Sequence, residues 1–168
     1  MHDEVAAALR EGRPVVALET AVLTHGLPRE PAPELVAVAD ALWQADAPAN
    51  LALARAMERA VREAGAVPAT MAVLDGQLCA GLSPQEIDRL GLDRNARKLS
   101  SRDLGPAIAA GASGGLTVAA TLTACRLAGV RTFATGGIGG VHRGFAQSLD
   151  ISADLAAIAT SRTVVVCA

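Results

Sequence analysis

The sequence predicts a compact α/β layer fold, and three observations carry that expectation. Apolar runs of strand length, at residues 15–18, 130–134 and 163–167, alternate with stretches whose apolar residues recur at helical spacing. The last two runs flank a helical stretch, a βαβ pattern with parallel strands and a right-handed crossover. Hydrophobic residues make up 51% of the chain but aromatic ones only 2%, so Ala, Val and Leu must fill the interior, and helices rich in alanine can pack closely on a sheet. With 168 residues the chain can bury a full core, and a single domain over 1–168 is expected.

The elements follow in order. Residues 3–10 form an amphipathic helix with Val5, Ala6 and Leu9 on one side, and Gly12-Arg13-Pro14 breaks it before the strand Val15-Val16-Ala17-Leu18. Glu19 then stands at the carboxyl end of that strand, and a second short run reaches Thr24-His25-Gly26. Pro28 to Pro48 reads as an inserted helix, periodic through Leu35, Val38, Ala39 and Leu42 with Trp43 beside it. Asn50 is placed to cap the next helix, whose Leu51, Ala54, Met57 and Val61 share a stripe and which Gly65 ends. Asp75-Gly76 suits a type I′ turn between strands 69–74 and 77–80. Ser83-Pro84-Gln85-Glu86 reads as a capping box for a helix that stops at Gly91. Two small-residue helices, 104–110 and 117–128, are separated by the loop Gly111 to Gly115, and Gly129 ends the second. Strand 130–134, a glycine loop, a helix from about residue 152 to 160 and strand 163–167 complete the chain.

Charge and cysteine usage exclude several function classes. A net charge of −2 with dispersed signs lacks the footprint of a general nucleic-acid or membrane-surface binder. Cys79, Cys125 and Cys167 are odd in number, far apart and set in apolar contexts, which supports neither a disulfide framework nor a CxxC zinc site. The acidic start lacks a secretory signal pattern, and no apolar run approaches the roughly 20 residues that span a bilayer. A soluble protein in a reducing, cytoplasmic compartment is therefore expected. Lys98 is the only lysine among fifteen basic residues, so amine chemistry in these residues has one candidate.

Chemistry-bearing residues gather around Thr135-Gly-Gly-Ile-Gly-Gly-Val-His-Arg-Gly144. Gly136 to Gly140 let backbone amides approach an anion, yet match neither the GxGxxG nor the Walker pattern, which disfavours dinucleotides and nucleoside triphosphates; a packing turn is the plainer alternative. His142 is a candidate ligand-binding or acid/base group, with His25 and His2 carrying less context. Asp150 and Asp154 could present carboxylates to a hard divalent cation, or Asp150 or Ser152 could simply cap the helix. Partial desolvation at a strand end would raise the pKa of Glu19 and suit it to proton donation; an ordinary surface carboxylate is the other reading.

Several ordered motifs together resemble the pseudouridine-5′-phosphate glycosidase, or indigoidine synthase A-like, family: Val15-Val-Ala-Leu-Glu-Thr20 with His25-Gly26, Gly65-Ala-Val-Pro-Ala-Thr70, Lys98-Leu-Ser-Ser-Arg-Asp103, Phe133 to Gly144, and Asp150-Ile-Ser-Ala-Asp-Leu155. The resemblance covers nearly the whole chain but about the first half of a usual member, so 1–168 is expected to be a partial glycosidase domain. It implies an α/β/α sandwich with a mixed, largely parallel sheet, a homotrimer, and one Mn2+ per subunit. It also implies reversible cleavage of the C–C bond between uracil and ribose 5-phosphate through a ring-opened sugar linked to a lysine. By motif position Glu19 corresponds to the proton donor and Asp150 to the metal ligand, largely through water. Lys98, Val118, Ser152, Ala153 and Asp154 correspond to substrate contacts, and Thr135 and His142 line the same site. The family's nucleophilic lysine follows the Val-Val-Cys-Ala strand and has no counterpart up to Ala168; Lys98 matches a different lysine. The link from Arg29 to Asn50 is longer than the family's. A binding remnant with little or no turnover is the rival expectation, and the apolar strand 163–167 is expected to promote self-association.

Overall fold

The computed structural model describes residues 1–32 and 46–168. Most of the inserted helix expected between Pro28 and Pro48 lies outside the described residues. In chain order the described elements are α1 (Asp3–Arg10), β1 (Val15–Leu18), a π-helical turn (Val22–Gly26), α2 (Ala49–Glu63), β2 (Val67–Leu74), β3 (Gln77–Ala80), α3 (Pro84–Leu92) and β4 (Arg97–Leu99). A 3₁₀ turn (Ser101–Asp103), α4 (Leu104–Ala109), β5 (Gly114–Leu116), α5 (Val118–Ala128), β6 (Thr132–Thr135), α6 (Phe145–Ser148), α7 (Ala153–Thr160) and β7 (Val164–Cys167) follow.

The strands form one mixed sheet in the order β4-β5-β2-β1-β6-β7, with β3 pairing the distal half of β2. Strand β1 runs parallel to both β2 and β6, β6 is parallel to β7, and β4 is parallel to β5. The long β2 divides its pairing. Its first half meets β1, and its second half runs antiparallel to β3 and β5.

Every residue of β2 is buried, and its side chains alternate between two cores. Val67, Ala69, Met71 and Val73 join α1, α4 and α5 on one face, together with Ala17 and Phe133. Ala72 and Leu74 face Leu51 and Ala54 of α2 and Ile87 and Leu90 of α3 on the other. Helices therefore cover both faces, giving the α/β/α layering. Alanine makes up much of this interior, so the few large buried side chains, Phe133, Leu23, Met71, Leu90, Leu99 and Leu116, anchor it. Each contributes about 1.5–3 kcal/mol by leaving water.

The capping box at Ser83 and Glu86 is present, and Asp75-Gly76 adopts the positive φ values, 48° and 75°, of the expected hairpin turn. Three expectations are corrected. Helix α2 starts at Ala49, so Asn50 lies inside its first turn rather than at the cap position; fully buried, its Oδ1 accepts from the Leu51 N–H (2.9 Å) and its NH₂ donates to the carbonyls of Leu23 (2.8 Å) and Gly91 (2.9 Å). Helix α3 ends one residue beyond Gly91, at Leu92, and the Gly91 carbonyl, in the last turn where no intrahelical donor is available, is satisfied by Asn50 and by the Arg29 guanidinium (3.0 Å). The stretch read as a loop at residues 111–115 ends in the central strand β5. There a Cβ on Gly115 would stand 2.4 Å from the Thr20 carbonyl oxygen, so only glycine lets β5 approach the exit of β1 this closely.

At the opposite edge β7 is only partly covered. Val165 packs on the core, but Val164 and Val166 are 64% and 55% exposed, and Leu149, Ile151 and Val141 are exposed near the same end of the chain. Among the described residues no helix is long and apolar enough to cross a membrane.

Candidate active site

The site is built from the carboxyl ends of β1 and β6, where ligands collect in parallel sheets. Register aligns Leu18 with Ala134, so the next residues, Glu19 and Thr135, emerge side by side. They are hydrogen bonded, the Thr135 hydroxyl donating to Oε1 of Glu19. Behind them Thr20 is fully buried; its Oγ1 donates to the Met71 carbonyl (2.6 Å) and accepts from the Leu116 N–H (3.0 Å). That single side chain ties the end of β1 to β2 and β5 and fixes the direction in which Glu19 points.

The chain then enters the π-helical turn, a form that recurs at functional sites. Arg29 holds this turn through the Thr24 carbonyl (2.9 Å), and Asn50 holds it through Leu23. His25 is presented at its end, with Nδ1 2.8 Å from Thr24 Oγ1.

A cleft of about 600 Å³ opens here. Glu19, His25, Lys98, Arg102, Val118 and the segment from Asp150 to Asp154 line it, with Thr117, Gly137 and Gly139 completing the wall. Among the expected site residues, Glu19, Lys98, Val118, Asp150, Ser152, Ala153 and Asp154 thus meet in one cavity. Thr135 and His142, expected to line the site, are not in its wall: Thr135 is bonded to Glu19, and His142 reaches the cleft only through Asp150, with Nδ1 2.6 Å from Asp150 Oδ2.

Two helices begin in the cleft, α5 at Val118 and α7 at Ala153. Their first N–H groups and dipoles favour negative charge. Thr117, which precedes α5, makes no capping bond, and its buried Oγ1 has no hydrogen-bond partner among the described residues. Ser152 caps α7 by accepting from the Asp154 N–H. Asp154 then joins three elements: Oδ1 accepts from the Ala119 N–H and Oδ2 from the Gly139 N–H, each at 2.9 Å. Gly139 has to be glycine in this arrangement, since a Cβ there would lie 2.1 Å from Ser152 Oγ.

Electrostatics separate the roles. Burial pushes the Glu19 carboxyl above its ordinary value; the Thr135 hydrogen bond opposes this, the Asp154 charge adds to it and the Lys98 cation reduces it. The balance favours a proton-carrying acid. His25 is shifted down by desolvation and by the cations Lys98 and Arg29, which keeps it neutral near pH 7.

No group of three or more His, Cys, Asp or Glu converges among the described residues as a closed metal chelate. Both Asp154 oxygens are engaged by backbone N–H groups, which leaves Asp150 as the carboxylate open to a cation. One hard oxygen donor at an open cleft fits a divalent ion that keeps most of its water.

His25 carried little weight in sequence, Ser100 and Arg102, which also line the cleft, stood in a family motif without a role of their own, and Thr117 carried none. The signal available for Thr117 was a threonine immediately before a helix, the position where a free hydroxyl and free N–H groups coincide.

The sequence matches the family model described as Indigoidine synthase A like protein over residues 4–45 and 43–168. The chain belongs to the indigoidine synthase A-like family. A pseudouridine-5′-phosphate glycosidase from Rhodospirillum centenum is 52% identical over 168 residues, all of this chain and 47% of the relative. One from Deinococcus radiodurans is 46% identical, with 48% of its length covered. Among solved structures, the prealnumycin C-glycosynthase AlnA in complex with ribulose 5-phosphate superposes with a TM-score of 0.77 at 39% identity, covering 99% of this chain and 48% of that one. An indigoidine synthase A-like protein from Thermotoga maritima gives 0.75 at 32% identity, covering 94% of this chain and 46% of its own. The chain therefore spans about half the length of the family relatives it matches.

Proposed function

We propose that this chain provides the acid and the sugar-phosphate cradle of a pseudouridine-5′-phosphate glycosidase, which reversibly converts pseudouridine 5′-phosphate and water to uracil and ribose 5-phosphate. The observation that carries the reading is the meeting, in one cleft, of a largely buried acid, Glu19, whose burial raises its carboxyl above the ordinary value, with two helix N-termini and the cation Lys98. The names of the relatives, and the ribulose 5-phosphate complex of the solved neighbour, support the same substrate class.

In this reading the phosphate rests on the N–H groups at Val118 and Ala153, with Lys98 neutralising it and Thr117 Oγ1 supplying the hydrogen bond it lacks in the free protein. Glu19 donates its proton to the ribose ring oxygen as the bond from C1′ to that oxygen breaks. A C-glycoside has no leaving-group oxygen to protonate, so ring opening and capture of C1′ by an amine provide the electron sink for C–C cleavage, with uracil leaving protonated at carbon. Lys98 is the only lysine in these 168 residues and is used by the cradle, so the amine is assigned to a lysine outside them. His142 orients Asp150, which would hold Mn2+ mainly through water, and the ion would supply positive charge beside the sugar phosphate. A homotrimer in the cytoplasm completes the proposal, tested by light scattering and by fractionation.

The test is incubation of the purified chain with pseudouridine 5′-phosphate and Mn2+, alone and with the remaining polypeptide of the Rhodospirillum centenum relative, followed by quantification of uracil. Release that is lost in Glu19→Gln supports the reading. The engagement of Lys98 in the cradle also favours a second reading, sugar-phosphate binding without turnover; binding of ribose 5-phosphate with no uracil under either condition selects it. A chain that neither binds ribose 5-phosphate nor releases uracil refutes both.

A further inference from the structure

Beneath Glu19, Thr135 is almost completely buried, and its hydroxyl has two acceptors for one proton. Oε1 of Glu19 is one; the carbonyl oxygen of Gly137, at 3.0 Å, is the other. The same oxygen lies 3.3 Å from the Gly137 N–H, which it accepts. A threonine hydroxyl can donate once and accept twice, so the two donor arrangements are mutually exclusive.

We propose that Thr135 is a positioning residue whose hydroxyl couples the protonation state of Glu19 to the hold on the glycine loop at Gly137. When Glu19 is ionised, the charge-assisted bond wins and Thr135 donates to the carboxylate, leaving the Gly137 carbonyl without this donor. When Glu19 carries its proton, the carboxyl O–H donates to Thr135 Oγ1, and the threonine proton turns to the Gly137 carbonyl. No proton leaves its residue; only the hydroxyl rotates. Oγ1 accepts from the Gly137 N–H in both states.

Gly137 and Gly139 line the cleft, and Gly139 is tied by Asp154 to the start of α5. Gly137 is therefore held to Thr135 by two hydrogen bonds when the acid is loaded and by one after Glu19 has given up its proton, while the Gly139 tie is unchanged. Release of that hold would loosen the cleft wall as the acid is spent. The groups that face Glu19 and contribute to its titration are Lys98 from β4 and Asp154 from α7. His25 from the π-helical turn, Arg102 from the 3₁₀ turn and Asp150 share the cleft.

The catalytic consequence rests on Glu19 being the acid, but the coupling itself is measured without turnover. The chain is labelled with 13C and 15N, and the Glu19 side-chain carboxyl and the Gly137 carbonyl are followed by NMR from pH 4 to 9. The expected result is that both resonances titrate with one midpoint. In Thr135→Val the Glu19 midpoint moves to higher pH, because a bond to the ionised form is gone, and the Gly137 response disappears. Thr135→Ser restores both. A Gly137 carbonyl that does not follow Glu19 in the wild-type chain overturns the proposal even if the valine variant fails to fold. An unchanged Glu19 midpoint in a folded Thr135→Val overturns it as well. Coupling observed in a chain that gives no uracil, alone or with the remaining polypeptide of the relative, would retain this inference while removing the glycosidase reading.

Discussion

Substituting Asp154 by asparagine tests the tie that closes the cleft. The carboxylate accepts two backbone N–H bonds, from Ala119 and Gly139, each at 2.9 Å. An asparagine has one acceptor oxygen, so one of these bonds is lost and an NH₂ group faces an N–H group. Hydrogen bonds to a charged group contribute about 1.5–3 kcal/mol, so Asp154→Asn is expected to lose about 2 kcal/mol of stability. With a urea m-value of ~2 kcal/mol/M, the unfolding midpoint should fall by about 1 M at constant m. Equilibrium unfolding followed by far-UV circular dichroism measures this directly. Because the tie joins the glycine loop to the start of α5, ribose 5-phosphate affinity should fall in the same variant. A midpoint within about 0.2 M of the wild type would refute the reasoning.

Three further outcomes are expected. Burial raises the Glu19 pKa above its ordinary 4.5, so the folded state binds more protons than the unfolded chain; this stability component is complete below 4.5 and is lost as pH rises through the higher folded value. Glu19→Gln cannot ionise, so its stability relative to wild type should grow from pH 4 to pH 7 in urea titrations, and a flat difference contradicts the assignment. Asn50→Ala removes two buried donors and strands the Leu23 carbonyl; a loss of about 2–3 kcal/mol in thermal or urea unfolding is expected, and a loss below about 1 kcal/mol would show that water replaces the amide. Lysines at Val164 and Val166 should reduce concentration-dependent association in sedimentation velocity, because both side chains stand exposed on the edge strand; association unchanged by the pair would place the sticky surface elsewhere.

The elements legible in sequence were those whose local signals agree with the tertiary answer. The amphipathic α1, the capping box at Ser83, the Asp75-Gly76 turn and the Gly129 stop are each decided within a few residues, and each was found in place. Strand β5 was hidden because its Gly114-Gly115 composition reads as loop, while Gly115 is required by the close approach of Thr20 and Gly114 by that of the Arg97 carbonyl and Leu99. Asn50 was misread for a related reason. An asparagine before an apolar stripe signals a cap, and Asn50 does accept from the Leu51 N–H, but from inside the helix it also satisfies the carbonyls of Leu23 and Gly91, a long-range role with no local signature.

The site divides in the same way. Glu19 was legible because a carboxylate after four apolar residues must sit at a strand's end, and its partner Thr135 follows from parallel register once β1 and β6 are adjacent. The two aspartates were not separable by spacing, which made Asp150 and Asp154 equivalent candidates; only the family motif gave them different roles. The fold places Asp154 between two backbone N–H groups and leaves Asp150 to His142 and the cleft.

The measurement that bears most directly on the cleft is an amide-resolved NMR titration with ribose 5-phosphate, with ribose and inorganic phosphate as comparisons. Saturable shifts centred on Val118, Gly139 and Ala153 are expected, weaker ones with phosphate, none with ribose, and loss of affinity in Lys98→Met. Shifts confined to other surfaces, or ribose binding as tightly as its phosphate, would contradict it.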